Sequence, residues 1–280
     1  MATIPWNFRK QDSSAAAIAS AVTYAVQVAD GYLGWMRQVP GLLAEADTQP
    51  LAGRRLLELG PGPTLGTPVL LACAGADVAV ADRFLPPWDP AFHPALFTAM
   101  REAIASRTDL RTGPLDAVLA ASAFAPAVAC HAVGAEQLTT VGGTFDVVVS
   151  NAVLEHIEDL GATVTNLAAV TAPGGTGLHQ VDLRDHRSFD RPLEYLTLDE
   201  QAFETLRRGC ACECGAQWRA SDYVRAFESA GFAVTMHGNM FAAPAYLNDL
   251  RPRLRPEFAG LSEDDLTTIS AFFRLTRSAS

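Results

Sequence analysis

Two histidines, His156 and His186, and three acids, Glu58, Asp82 and Asp182, stand where apolar runs break into polar or glycine-rich turns. These residues carry the chemistry available to the chain. The tightest grouping is His179-Gln180-Val181-Asp182-Leu183-Arg184-Asp185-His186, which concentrates imidazoles and carboxylates. An imidazole beside a carboxylate can remove a proton from a hydroxyl near neutral pH. His186, just past an apolar run, is favoured as that base over His156, while His179 lies within the run and reads as a satisfied core residue. Asp182, Asp185 and Glu213 have a second use, because they offer the oxygen ligands that magnesium takes. The competing reading is a salt-bridged turn of Asp182, Asp185 and Arg184, and both stay open.

A second set of residues points to a nucleotide-like ligand. Arg55-Leu56-Leu57-Glu58-Leu59 is a short apolar strand, and Gly60-Pro61-Gly62-Pro63-Thr64-Leu65-Gly66 is a turn after it. Gly60 and Gly62 can adopt backbone angles closed to other residues and leave no side chain between loop and ligand. The dinucleotide fingerprint G-x-G-x-x-G is not met, since Leu65 occupies the third glycine position and Gly66 follows one residue later. Residues 67–72 read as a helix with Gly75 as its left-handed stop. Residues 77–82 read as a second strand closed by Asp82, about 20 residues beyond the glycines, where an acid accepts ribose hydroxyls.

Glu58, Gly60 and Gly62 form E-x-G-x-G, and the whole segment resembles the first motif of the class I S-adenosylmethionine-dependent methyltransferases. The resemblance continues in order through residues 51–185: a third strand at 128–133 followed by Gly134-Ala135-Glu136, and a fourth at 145–151 leading into Ala152-Val153-Leu154-Glu155-His156-Ile157. A helix at 167–172, a Pro173-Gly174-Gly175 stop and a fifth strand at 177–183 complete it. It implies S-adenosylmethionine as cofactor, held by Glu58, Gly60, Pro61, Gly62, Asp82, Arg83, Ala135, Glu136 and Asn151. In that scheme Glu58 orients the methionine ammonium, Asp82 holds the ribose, Ala135 and Glu136 flank adenine, and Asn151 borders the methionine part. The catalytic candidates are His186, His156 and Asp182, with magnesium as an optional further cofactor.

Composition agrees with a small-molecule enzyme. The chain has 280 residues, 49% of them hydrophobic, enough for a full α/β core. Its formal charge of −10, from 21 basic and 31 acidic residues, argues against a nucleic-acid partner. Arg9 and Lys10 before the small-residue run at 15–29 superficially resemble an export signal. However, Ile18, Val22, Val26, Ala29, Leu33 and Met36 recur at helical spacing, and Ser13-Ser14 can cap the start. No stretch is long enough to cross a bilayer. Five cysteines without a convincing export signal fit reduced thiols in a cytoplasm. Cys73 and Cys130 read as core residues. Cys210, Cys212 and Cys214 lack the paired spacing of structural zinc sites and read as a loop near the pocket mouth.

The expected architecture is a Rossmann-like, doubly wound α/β sheet of seven strands, mostly parallel with an antiparallel last strand, plus an N-terminal helical cap over residues 1–50. Residues 51–280 form the main domain, with substrate-shaping insertions near 84–126 and 187–220. The expected activity is methyl transfer to a small molecule, most plausibly a hydroxyl of a sugar or secondary metabolite. A non-catalytic cofactor-binding subunit and an NAD-dependent oxidoreductase are the alternatives, and a homodimer is compatible with the sequence.

Overall fold

The protein is described here by a computed structural model that covers residues 8–44, 48–125, 127–209 and 215–279. Its strands are β1 (Arg55–Leu59), β2 (Asp77–Ala81), β3 (Val128–His131), β4 (Phe145–Asn151), β5 (Thr171–Asp182), β6 (Phe232–Phe241) and β7 (Thr268–Arg277). They form one sheet in the order β3-β2-β1-β4-β5-β7-β6. The last strand, β7, runs antiparallel to both of its neighbours. The remaining pairings are parallel, so the expected doubly wound sheet is the one observed.

Alternation along the strands divides the core into two layers. Leu56, Val78, Val80, Val147 and Val149 face α1 (Ala15–Met36), α2 (Gly66–Cys73), α3 (His93–Ala103) and α4 (Gly113–Ala121). Leu57, Leu59, Val148, Val181 and Phe273 face the other way. Next along the chain come α5 (Leu160–Val170), α6 (Glu200–Gly209) and α7 (Ala220–Ser229), of which α5 and α7 cover this second face. With both faces covered, the central strands are apolar almost throughout. The sidedness matters for the site, because Glu58, two residues after Leu56, must point into the layer beneath α1.

A third, smaller core gathers Leu193, Tyr195, Leu196 and Phe203 with Leu247 and Leu250 of α8 (Pro244–Leu250) and Leu266 of α9 (Glu263–Thr267). Arg219 ties this lobe to the sheet. Its fully buried guanidinium donates to the carbonyls of Leu183, Asp265 and Thr268 and to the Tyr195 hydroxyl.

Several local expectations need correction. The helix expected at 167–172 starts earlier, at Leu160, where Asp159 accepts from the Ala162 amide as N-cap. Pro173-Gly174-Gly175 does not simply stop it. Those residues interrupt the ladder between Phe145–Thr171 and Val147–Thr176 and so lie inside β5 as an irregularity. Cys130 is exposed, because β3 is an edge strand that leaves alternate side chains uncovered, whereas Cys73 is buried as expected. Helices α4 and α8 were not anticipated.

Phe273 is fully buried, with ring centroids 5.7 Å from Tyr223 and 5.6 Å from Phe227. Replacing Phe273 by Ala should cost roughly 3–5 kcal/mol of stability. Urea unfolding would measure it, and a loss under about 1 kcal/mol would mean that this face of the sheet is not close-packed.

Candidate active site

The strand order reverses between β1 and β4, and in a doubly wound sheet the ligand crevice opens at the carboxyl ends of the strands at that point. The backbone there is committed to a tight turn. Gly60 and Gly62 have φ of +60° and +71°, and Leu65 adopts the left-handed conformation at +49° just before α2. A Cβ at Gly60 would run into the Val153 side chain, so the turns after β1 and β4 are packed against each other. At Gly66 a Cβ would lie 2.8 Å from the Ala25 Cβ. Helix α1 therefore presses directly on the start of α2.

Under that helix lies Glu58, only 3% exposed. Burial pushes its carboxyl up to about 8. Its Oε2 has no hydrogen-bond partner among the described residues, and neither has the buried hydroxyl of Tyr32 on α1. A second α1 hydroxyl, that of Tyr24, accepts a 3.0 Å bond from Asn151 Nδ2 at the end of β4. Two tyrosines of α1 that the sequence reading missed thus belong to this region, Tyr24 bonded to Asn151 and both within electrostatic reach of Glu58. Their signal was two phenols in a helix otherwise rich in small apolar residues.

On the other side of β1, Asp82 follows β2 and its Oδ1 accepts the Phe84 amide at 2.7 Å. Arg83 spans two acids, Glu136 at 2.8 Å and Glu158 at 2.9 Å. Burial alone would raise the Glu136 carboxyl, but the Glu158 amide and the Arg83 guanidinium hold it below its usual range. Gly134 permits the crossing, since a Cβ there would lie 2.6 Å from Arg83 Nε. Arg83, Ala135 and Glu136 are therefore brought to one place, with Glu136 fastening the loops after β2 and β3.

The expected catalytic groups also converge. A short 3-10 turn at Leu154–His156 follows β4, and the Tyr223 hydroxyl donates to the Leu154 carbonyl at 3.1 Å to fix it. The His156 and His186 rings have centroids 5.1 Å apart, and His186 Nε2 lies 3.5 Å from Asp182 Oδ2. Burial, first, and the neighbouring His186 lower His156 to about 4. Burial would raise the Asp182 carboxyl, yet the hydrogen-bonded Arg184 guanidinium and the nearby His186 imidazole hold it well below the ordinary carboxylate range. His179, fully buried with Nδ1 2.8 Å from Ser150 Oγ, is the core residue anticipated.

Among the described residues the oxygen site expected for magnesium is not assembled. Arg184 takes both Asp182 oxygens at 2.8 and 2.6 Å, and Arg187 takes both Asp185 oxygens at 2.8 and 2.5 Å. The salt-bridged turn is the reading that fits. Glu213, with Cys210, Cys212 and Cys214, lies outside the described residues. Sequence reasoning also passed over Glu155, a 2% exposed carboxylate between Leu154 and His156, whose signal was an acid set within an apolar turn.

The chain matches the sequence family described as a methyltransferase domain over residues 32–237. It belongs to the class I S-adenosylmethionine-dependent methyltransferases. No curated protein matches it in sequence. Among solved structures it is similar to phosphoethanolamine N-methyltransferase 2 of Haemonchus contortus with S-adenosyl-L-methionine, at 15% identity and TM-score 0.44, covering 81% of this chain and 49% of that one. Magnesium protoporphyrin IX methyltransferase of Synechocystis PCC 6803 with bound S-adenosylhomocysteine gives 14%, 0.47, and coverage of 97% and 91%. An O-methyltransferase family protein of Burkholderia thailandensis gives 14%, 0.47, and coverage of 94% and 60%. The chain spans about half the length of the Haemonchus enzyme. At these scores the likenesses carry nothing about substrate. Among the described residues no helix is long and apolar enough to cross a membrane.

The buried Glu58 carboxyl predicts a pH effect on stability. Its pKa rises on folding from 4.5 to about 8, so the folded state holds the proton more tightly and stability falls as the pH climbs between those values. In Glu58→Gln that decline should be shallower, as chemical denaturation at a series of pH values would show. Parallel curves for the two proteins would mean that Glu58 is hydrated.

Proposed function

We propose that this chain transfers the methyl group of S-adenosylmethionine to a hydroxyl of a small molecule, a sugar or secondary metabolite. The observation that carries the reading is the buried Glu58 Oε2, without a hydrogen-bond partner among the described residues, beside a positive-φ glycine turn at the switch point of the sheet. The methionine end of the cofactor lies against that turn, and Glu58 receives its ammonium directly or through water. Asn151 and the tyrosines of α1 border the same end, Asp82 takes the ribose hydroxyls, and the loop carrying Arg83, Ala135 and Glu136 flanks adenine. Helix α1 acts as a cap that excludes water.

Methyl transfer breaks the carbon–sulfur bond, forms a carbon–oxygen bond, and turns the sulfonium into a neutral thioether. The hydroxyl proton has to leave. His186 receives it, with the ionised Asp182 beside it stabilising the imidazolium, and His156 completes the wall of the acceptor site. In-line placement of the acceptor supplies much of the remaining acceleration.

Asp82→Ala should weaken S-adenosylhomocysteine binding about tenfold or more, since hydrogen bonds to a charged group are lost, while NAD should not bind the wild type. His186→Ala should lower transfer to a responsive acceptor by about 10²–10⁴-fold with S-adenosylhomocysteine affinity unchanged. Calorimetry and a labelled-methyl assay on a hydroxylated acceptor panel give both readouts. Tight NAD binding would contradict the cofactor assignment, and full activity in His186→Ala would remove the base.

A further inference from the structure

Proton transfer to His186 leaves Glu155 unexplained. Its carboxylate is 2% exposed, and neither oxygen has a hydrogen-bond partner among the described residues. A buried carboxylate in that condition is costly unless a cation or a proton satisfies it. Two imidazole atoms beside it are poorly satisfied too: His156 Nδ1 is buried without a hydrogen-bond partner among the described residues, and the buried His186 Nε2 has Asp182 Oδ2 at 3.5 Å, too long for a good hydrogen bond. One donor atom from each of Glu155, His156 and His186 lies within 4.8 Å of the other two. A tetrahedral ion with bonds of about 2.0–2.2 Å holds its donors about 3.4 Å apart, so shifts of about 1 Å would close the set. The acids next to it are not competitors, since Arg184 and Arg187 occupy both oxygens of Asp182 and of Asp185.

We propose that Glu155, His156 and His186 form a three-ligand site for a divalent transition ion of the zinc type, open toward the acceptor. Two imidazoles with one carboxylate suit zinc, cobalt or nickel, whereas magnesium prefers oxygen throughout. Three protein ligands leave coordination positions for substrate. The acceptor class that follows is a hydroxyl flanked by a second oxygen, able to chelate.

The proposal rests on the cluster being the acceptor end. With an ion bound, His186 would serve as a ligand instead of as the base, and the hydroxyl proton would pass to water. The oxygen then takes the methyl group and the sulfonium becomes a thioether.

The full chain, freed of metal, would be titrated with cobalt(II) by visible absorption and with zinc(II) by calorimetry. The same titrations would be run on Glu155→Gln, His156→Gln, and a variant with Cys210, Cys212 and Cys214 all changed to Ser. We expect one ion per chain, a ligand-field spectrum without thiolate charge transfer, affinity reduced at least about tenfold in the first two variants, and affinity retained in the cysteine variant. No ion bound, equal affinity in Glu155→Gln and His156→Gln, or loss in the cysteine variant would each overturn the site. S-adenosylhomocysteine titration of every variant reports folding. Cofactor binding without ion binding sinks this proposal alone, while ion binding without cofactor binding sinks the transferase mechanism and leaves the site.

Discussion

A carboxyl group shut away from water at the end of a central strand sets the conditions for the rest of this site. Alternation along β1 gives Glu58 no choice of face. With Leu56 packed beneath α1, Glu58 follows it into the same layer, where burial holds its proton to about pH 8. That placement is expensive unless something cationic arrives. The turn that follows cannot relax to relieve it, because Gly60 is fixed at positive φ against Val153 and Gly66 is pressed by Ala25. Helix α1, the glycine turn and the turn after β4 therefore form one packed unit around a waiting acid.

Pairing separates the acids at the strand ends into two kinds. Asp182, Asp185 and Glu136 are satisfied by arginines, and they hold loops in place. Glu58 and Glu155 have carboxylate oxygens with no hydrogen-bond partner among the described residues, and burial pushes both up to about 8. Both act electrostatically on Tyr24. The contrast separates acids whose pairing fixes the loops of the site from acids left open to a ligand. Arg219 belongs with the first kind, since its carbonyl partners fasten the C-terminal lobe against the end of β5.

Strand β1, its turn, α2, β2 and β4 were legible because period-two apolar runs and glycine at forced backbone angles are local signals. The start of α5 was not. Gly161, Thr163 and Thr165 lower helix propensity there, and tertiary burial of Leu160 and Val164 overrides it. Cys130 looked like core because its neighbours are apolar, yet edge or centre is decided by strand order, which no local pattern contains. In the candidate site, Glu58, Asn151, His156, His186 and Asp182 were proposed from motif and spacing. Tyr24, Tyr32 and Glu155 were missed because their importance arises from what α1 and the β4 turn bring together. The magnesium reading failed on a similar point, since the sequence shows acids and arginines side by side without saying which pairs close.

The central claim is that a protonated, desolvated Glu58 gives up its proton to receive the cofactor's ammonium. Calorimetric titration with S-adenosylhomocysteine near pH 7, in buffers of differing ionisation enthalpy, measures that proton directly. Net release approaching one proton per cofactor in the wild type, largely abolished in Glu58→Gln, is the result expected from a carboxyl at about 8. Tight binding with the same proton balance in both proteins would contradict it.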